Sequence, residues 1–364
     1  MSGTLGANAG PAQTPTGAAT KAPARSPEPG VEAKPATIYD VARVAGVSHQ
    51  TVSRFLKGYA GIRPETRERV AQALDAVDYR PNLTARSLTT GRSHRIGALT
   101  HEIDQVGPSK IAQGASAAAR EAGYLLDIIT LDMSNRSAIA NAVSLVQQHD
   151  LAGVLALAST DEMTRAFEKT RFRVPAFIAV EADDVVGEHR SELSSVGFPA
   201  LVDHLAGLGH RSFLHIAGPT TWSAARNRVR AYEEAIEVRG LNSVGIVHGD
   251  WSARSGYDAV KSLSGEVRAT AVVAANDQMA LGAMLALSQL GLQVPRDVSV
   301  TGVDDIPEAE FFAPPLTTLR VDFLAQGRAA VAELLARVNG ETAPSFPVLA
   351  SELVVRASTG PAPV

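Results

Sequence analysis

The stretch "TIYDVARVAGVSHQTVSRFLKG", Thr37 to Gly58, decides how the rest of the chain is read. Two short helical patterns stand on either side of "GVS", the first from Ile38 to Gly46 and the second from Ser48, whose hydroxyl suits an N-cap. A break so short, containing glycine and with Ala42, Val47 and Val52 placed to pack between the helices, is a helix-turn-helix. In the second helix only Val52, Phe55 and Leu56 make an apolar stripe, which leaves His49, Gln50, Ser53 and Arg54 facing outward. A third helix begins after Pro64 and closes the module near Tyr79.

An outward face of hydrogen-bonding side chains needs a partner, and charge indicates which kind. The chain of 364 residues carries a formal net charge of −4, yet between Thr37 and Arg95 ten basic residues face five acidic ones, a local net charge of +5. A basic module on an acidic body points to a polyanion for one part and something else for the rest. An α-helix fits the major groove of B-DNA, with the N-terminal side chains of a second helix at base edges. Gln50 can bond adenine bidentately, Arg54 suits guanine O6 and N7, and His49 can donate or pack on a thymine methyl.

Outside this module three features bound the function. There is no cysteine, which excludes disulfides and thiol catalysis and fits a reducing compartment. No apolar run reaches membrane-spanning length, and residues 1–36 are rich in Gly, Ala, Pro, Ser and Thr without the apolar block of a secretory signal. They read as a disordered tail, and the protein as cytoplasmic. After "RPNLTARSLTTGRSHR" the texture changes to apolar strands alternating with Ala-rich helices, through "IGALT", "LLDIITL", "GVLALA", "FLHIAG" and "AVVAAN". Such alternation implies βαβ units and parallel sheets covered on both faces. A second series begins near Val196, so the body reads as two α/β lobes with a ligand cleft between them.

Through "ETRERVAQALDAVDYRPN", "LAGLGHRSFLHIAGP", "ANDQMALGAM", "LGLQVPRDVSVTGVDD" and "PPLTTL", together with the opening stretch, the chain resembles the LacI/GalR family of bacterial transcription regulators. The resemblance covers nearly everything after residue 36. It implies an α/β fold with an N-terminal helix-turn-helix headpiece, a hinge helix, and a two-lobed core with parallel sheets like a periplasmic sugar-binding protein. The domains are then a tail (1–36), the headpiece (37–80), a hinge segment (81–94) and an effector-binding, dimerising core (95–364).

The resemblance gives His49, Gln50 and Arg54 the base-reading role and makes Tyr39, Ser48, Thr51 and Ser53 phosphate-positioning groups. In the hinge it implies that Ala85 and Leu88 wedge into the minor groove, with Asn82 and Arg86 on groove or backbone. In the core it implies an effector pocket with Arg228 forked across two hydroxyls, Asn276 donating and accepting, and Asp304 accepting. Trp251 or Phe323 supplies the apolar platform, and Pro108 and Ile111 an apolar wall. Set against these roles are plainer ones: Asp304 as a helix cap, Asn276 as a turn holder, Trp251 as core.

His101, Gln105, Leu157 and Val180 depart from the polar contacts and carboxylate of galactoside-responsive members, and Val321 stands where a glutamine is expected. Glu181 is one position from the missing carboxylate. A saccharide or glycoside is therefore a firmer expectation than a galactoside. No metal-ligand spacing, nucleophile elbow or dinucleotide fingerprint is present, so neither enzyme activity nor a cofactor is expected.

The resulting expectation is a homodimeric repressor on a pseudopalindromic operator, released by a sugar inducer, with no membrane association. The closing "SELVVRASTGPAPV" lacks sustained leucine heptads, which favours a dimer over a tetramer. The alternatives are a corepressor or protein-controlled member of the family, and a sugar-binding protein without DNA activity.

Overall fold

The computed structural model describes residues 35–80, 93–131, 136–158, 160–181, 193–263, 268–343 and 351–364. The hinge candidates Asn82, Ala85, Arg86 and Leu88 lie outside these residues. Contacts divide the chain into two compact units, residues 1–82 and 83–364.

In the first unit, Ile38–Ala45 (α1), His49–Leu56 (α2) and Pro64–Ala76 (α3) form the three expected helices. Thr37 and Asp40 make a reciprocal capping box, the Asp40 amide donating to Thr37 Oγ1 and the Thr37 amide to Asp40 Oδ2. Gly46, at φ +64°, ends α1 in the left-handed conformation that a Cβ disfavours. Two residues on, Ser48 Oγ accepts from the Thr51 amide and starts α2. Val41, Ala42, Ala45, Val52, Val70 and Ala73 are the buried core, with Val47, Phe55 and Leu56 packed against it.

The second unit contains two sheets. Arg95–Thr100 (β1), Leu125–Thr130 (β2), Gly153–Ala158 (β3) and Ala176–Val180 (β4) form a parallel sheet in the order β2-β1-β3-β4. It is threaded by helices Val106–Glu121 (α4), Arg136–Gln148 (α5) and Asp161–Glu168 (α6). The second lobe opens with helix Phe198–Gly207 (α7) and continues through Ser212–Ala217 (β5), Ser223–Val238 (α8), Asn242–His248 (β6) and Ala253–Lys261 (α9). It is completed by Ala271–Ala274 (β7), Asp277–Gln289 (α10), Ser299–Asp304 (β8) and Thr317–Arg320 (β9). These strands pair in parallel, and Glu352–Val354 (β10) adds an antiparallel edge against β9. The sheets are therefore parallel as expected, save for that edge.

One element contradicts a simple division at Val196. Helix Phe323–Asn339 (α11) follows the second lobe in sequence, yet its Ala330, Val331 and Leu334 are buried with Ile96, Ala98, Ala112 and Leu155 of the first. The chain then returns to the second lobe at β10. Its apolar period announces a helix without naming the sheet that the helix covers.

Glycine lets this crossing form. A Cβ on Gly327 of α11 would lie 2.0 Å from the carbonyl oxygen of Ile111, and one on Gly114 of α4 would lie 2.1 Å from that of Leu324. The two helices meet backbone to backbone with no room for a methyl group. A similar pair joins α9 to α10, where a Cβ on Gly256 or Gly282 would strike the main chain of Met279 or Ala253.

Among the described residues, no helix is long and apolar enough to cross a membrane. Gly327→Ala should lower the free energy of unfolding by roughly 2–3 kcal/mol through overpacking. Urea unfolding of the full chain measures this, and a Gly207→Ala control, where a Cβ meets nothing within 4 Å, should be near neutral or stabilising.

Candidate effector cleft and DNA-facing helix

A cleft of about 660 Å³ opens between the two lobes. The carboxyl ends of parallel strands supply its polar floor, as open α/β sheets do. Asp304 ends β8, Asn276 follows β7, and Trp251 lies just beyond β6. Arg228 reaches in from α8, while the first two turns of α4 bring Pro108 and Ile111 and the start of α11 brings Phe323. All seven expected effector residues line this one space.

The floor has charge and strain together. Asp304 is buried, and its Oδ1 has no hydrogen-bond partner. Burial pushes its carboxyl up to about 7, although the positive charges of Arg228 and Lys110 oppose the shift. Arg228 is buried too; one guanidinium nitrogen donates to the carbonyl of Ala275 at 2.5 Å, and its Nε has no partner. Its guanidinium lies 5.3 Å from the centroid of the Trp251 ring, a cation–π distance. Trp251 Nε1 is a third buried polar atom without a partner.

Two of these residues hold backbone conformations unusual for a side chain with a Cβ, Trp251 at φ +72° and Asp304 at φ +111°. Such outliers cost on the order of 1–3 kcal/mol each and gather at functional sites. Gly218 makes the space for Trp251: a Cβ there would sit 2.3 Å from the indole.

Asn276 combines the two roles weighed from sequence. Its Oδ1 caps α10 by accepting from the Met279 amide at 2.9 Å, and its Nδ2 donates to the Trp251 carbonyl at 2.9 Å. It fixes the strained Trp251 turn as well as lining the cleft.

Trp222 was not found from sequence, whereas the wall positions His101, Gln105, Leu157, Glu181 and Val321 were. Trp222 packs edge-on against Trp251, with centroids 5.5 Å apart, and His101 packs edge-on against Trp222 at 5.2 Å. His101 is fully buried with no hydrogen-bond partner on either ring nitrogen. The signal for Trp222 was its rarity, one of two tryptophans in the chain, just after the strand-end "AGP". Glu181 lines the cleft, as do Gln105, Leu157 and Val321. Its Oε1 accepts from Asn227 Nδ2 at 3.1 Å, and its main-chain oxygen accepts from Ser223 Oγ at 2.6 Å. With Arg226 bonded to Asp161 at 2.9 Å, these contacts tie α8 of the second lobe to the first. Among the described residues, no group of histidine, aspartate and glutamate side chains is placed to hold a metal ion.

In the separate headpiece, His49, Gln50 and Arg54 are exposed along α2, and Ser53 and Thr51 are partly so. Tyr39, on α1, is exposed and lies 5.2 Å from the His49 ring. Ser48 and Thr51 hydroxyls bond each other at 3.0 Å at the start of the helix. All seven headpiece candidates thus fall on or beside the N-terminal half and outer face of one helix.

Comparison with known proteins agrees with both halves. A model of the lacI family of bacterial regulatory proteins matches residues 37–82, and one of a periplasmic binding protein-like domain matches residues 202–359. The lactose operon repressor of Escherichia coli (strain K12) is 32% identical over 333 residues, 90% of this chain and 91% of that protein. The transcriptional regulator MalR of Streptomyces coelicolor is 33% identical over 338 residues, 89% and 96% of the two chains. Among solved structures, the lac repressor dimer bound to operator and the anti-inducer ONPF matches with a TM-score of 0.78 at 32% identity, covering 90% of this chain and 100% of that one. A complex of the regulator CelR with cellobiose matches with a TM-score of 0.65 at 28% identity, covering 89% and 99%. With a helix-turn-helix headpiece ahead of a two-lobed α/β core, and with this similarity along nine-tenths of its length, the chain belongs to the lacI family of bacterial transcriptional regulators.

Proposed function

We propose that the protein is a homodimeric repressor whose paired headpieces bind a pseudopalindromic operator, and that a saccharide or glycoside in the cleft releases it. The observation that carries the effector half is the set of three buried polar atoms without partners, Asp304 Oδ1, Arg228 Nε and Trp251 Nε1, gathered in one largely apolar cleft. Ligand hydroxyls supply both donors and acceptors to such a set, and the tryptophan faces suit the C–H surface of a sugar. The relatives support this, since cellobiose is bound by CelR and ONPF by the lac repressor.

Tyr39, Ser48, Thr51 and Ser53 position the headpiece on phosphates, His49, Gln50 and Arg54 read bases, and Asn82, Ala85, Arg86 and Leu88 form the hinge contact. The domain limits 37–80, 81–94 and 95–364 follow from that division. Exposed Leu281 and Leu285, one turn apart on α10, supply apolar surface for the second copy, and the similar lac repressor is a dimer. The protein works by binding rather than by turnover, in the cytoplasm where its DNA is.

Release follows from differential affinity. The inducer binds the DNA-incompetent arrangement more tightly, and by linkage DNA weakens inducer binding by the same factor. Binding of the purified full chain to its own upstream intergenic DNA, at stated salt and with a panel of galactosides, glucosides and pentosides, tests the scheme. Release by one sugar is the expected result; DNA binding that strengthens with sugar would instead identify a corepressor.

Arg228→Ala should weaken sugar binding by about 10- to 100-fold, since hydrogen bonds to a charged group are worth about 1.5–3 kcal/mol each. It should leave DNA affinity in the absence of sugar unchanged. Sugar titration by tryptophan fluorescence and a parallel DNA-binding assay check the two parts.

Asp304 generates a pH prediction with a definite sign. Its carboxyl sits near 7 in the folded chain against about 3.9 when unfolded. The folded state therefore favours the protonated acid, and that stability is fully present below pH 4 and lost as pH rises through 7. The loss is on the order of 4 kcal/mol at most. Asp304→Asn should unfold at higher denaturant than wild type at pH 8 with the difference shrinking toward pH 4, while abolishing sugar binding. In the wild type, sugar affinity should rise from pH 6 to pH 8, because the ionised carboxylate is the better acceptor.

A further inference from the structure

The end of the DNA-facing helix is closed in a way that brings an aromatic ring onto its arginine. Gly58 lies at φ +72°. Its amide donates to Phe55 O at 2.9 Å, and the amide of Tyr59 donates to Arg54 O at 3.0 Å. These two bonds are the paired closing bonds of a Schellman cap. In that motif the residue after the glycine packs against the residue five positions before it, here Tyr59 against Arg54. The guanidinium carbon of Arg54 lies 5.8 Å from the Tyr59 ring centroid.

The surroundings fix the ring rather than bury it. Tyr59 is 56% exposed and is absent from the headpiece core and from the side chains packed on that core. Arg67 of α3 donates to the Tyr59 carbonyl at 3.2 Å and holds the loop against the body of the headpiece. On the other side the chain folds back so closely that a Cβ on Gly61 would lie 2.5 Å from Tyr59 Cε1. Gly61 has no positive φ among the glycines that do, so what glycine provides there is room for the tyrosine.

We propose that Tyr59 is a positioning residue for DNA reading: docked by the Schellman cap and by Gly61, it holds the Arg54 guanidinium in the direction needed to fork onto a base. This rests on the reading of Arg54 as a base-contacting side chain. A free arginine on an exposed helix loses its rotamer freedom when it docks, and a ring that holds it beforehand removes part of that cost. The benefit falls on the base pair that Arg54 reads and on no other, so Tyr59 sets discrimination at one symmetric pair of operator positions.

The test uses the full-length protein. Selection from a random duplex pool gives the wild-type preference at each position, and Arg54→Ala identifies the base pairs that depend on Arg54. Tyr59→Ala, Tyr59→Phe and Gly61→Ala are then measured on the selected duplex and on duplexes changed at those pairs. The expected result is that Tyr59→Ala and Gly61→Ala reduce discrimination there by about two- to fivefold per half-site, the size of an exposed cation–π contact, and leave other positions unchanged. Tyr59→Phe, which keeps the ring, should match wild type.

Unchanged discrimination in Tyr59→Ala, or sharper discrimination, overturns the proposal. So does a loss of affinity equal for all sequences, which indicates a structural role, and so does a loss in Tyr59→Phe equal to that in Tyr59→Ala, which indicates a contact through the hydroxyl. If Arg54→Ala leaves every base preference intact, the reading of Arg54 itself fails, a result separate from failure of the brace.

Discussion

A carboxylate buried at the end of a parallel strand with one oxygen unpartnered is expensive, and the cleft keeps one beside the positive charges of Arg228 and Lys110. Asp304 has that position, and Asp277, nearby in the same core, shows the alternative. Asp277 is equally buried, and burial beside Asp304 raises its carboxyl well above the usual range. Yet it accepts from the Thr318 hydroxyl at 2.6 Å and from the Ile306 amide at 2.9 Å. The satisfied aspartate is bonded into the scaffold, and the unsatisfied one lines the cleft. Burial alone does not separate them, whereas the count of hydrogen bonds does.

The same distinction runs through the cleft. A hydrogen bond or charge in an apolar, water-poor space is stronger than on a surface, and an unmade one costs correspondingly more. Arg228, Trp251 and Asp304 are held in this condition by rigid supports: the helix cap of Asn276, the missing Cβ at Gly218, and strand ends in unusual backbone geometry. The polar links between lobes are of a different kind; among the described residues they include hydrogen bonds from Ser223, Arg226 and Asn227 near the start of one helix and from the Asp161 amide to the Thr221 carbonyl. Each contributes about 1–3 kcal/mol net, little against the apolar cores within each lobe. Relative lobe movement is therefore the inexpensive motion, and a ligand that satisfies groups from both lobes has the leverage to drive it.

How much of this the sequence displayed depends on whether the information is local. The headpiece was legible because caps, a glycine turn and an apolar triad all fall within a few residues of one another. The parallel character of the sheets was legible, since parallel strands buried on both faces read as continuous apolar runs, but the order of the strands was not. The placement of Phe323–Asn339 was not, because an amphipathic helix announces that it covers something without saying what. Trp222 and Gly218 were missed for a related reason: each meets the Trp251 ring about thirty residues later in the chain, and such a contact leaves no periodic trace. Asn276 could be read as a cap or as a ligand contact because both depend on the same amide at the same strand end.

The headpiece shows why a helix that presents its side chains to an outside partner needs help from beyond its own sequence. Its core is six small or β-branched side chains, and α2 contributes one of them, Val52. A helix that buries so little is held by its caps and neighbours, which frees its other side chains for an external partner but leaves them without packing to fix their rotamers. Long side chains on such a surface lose entropy on binding unless something orders them beforehand. The exposed rings of Tyr39 beside His49 and Tyr59 beside Arg54 are placed to do so at the two ends of the same helix. The proposed brace thereby gives exposed aromatics unaccounted for by a core a role in aiming flexible recognition groups before DNA arrives.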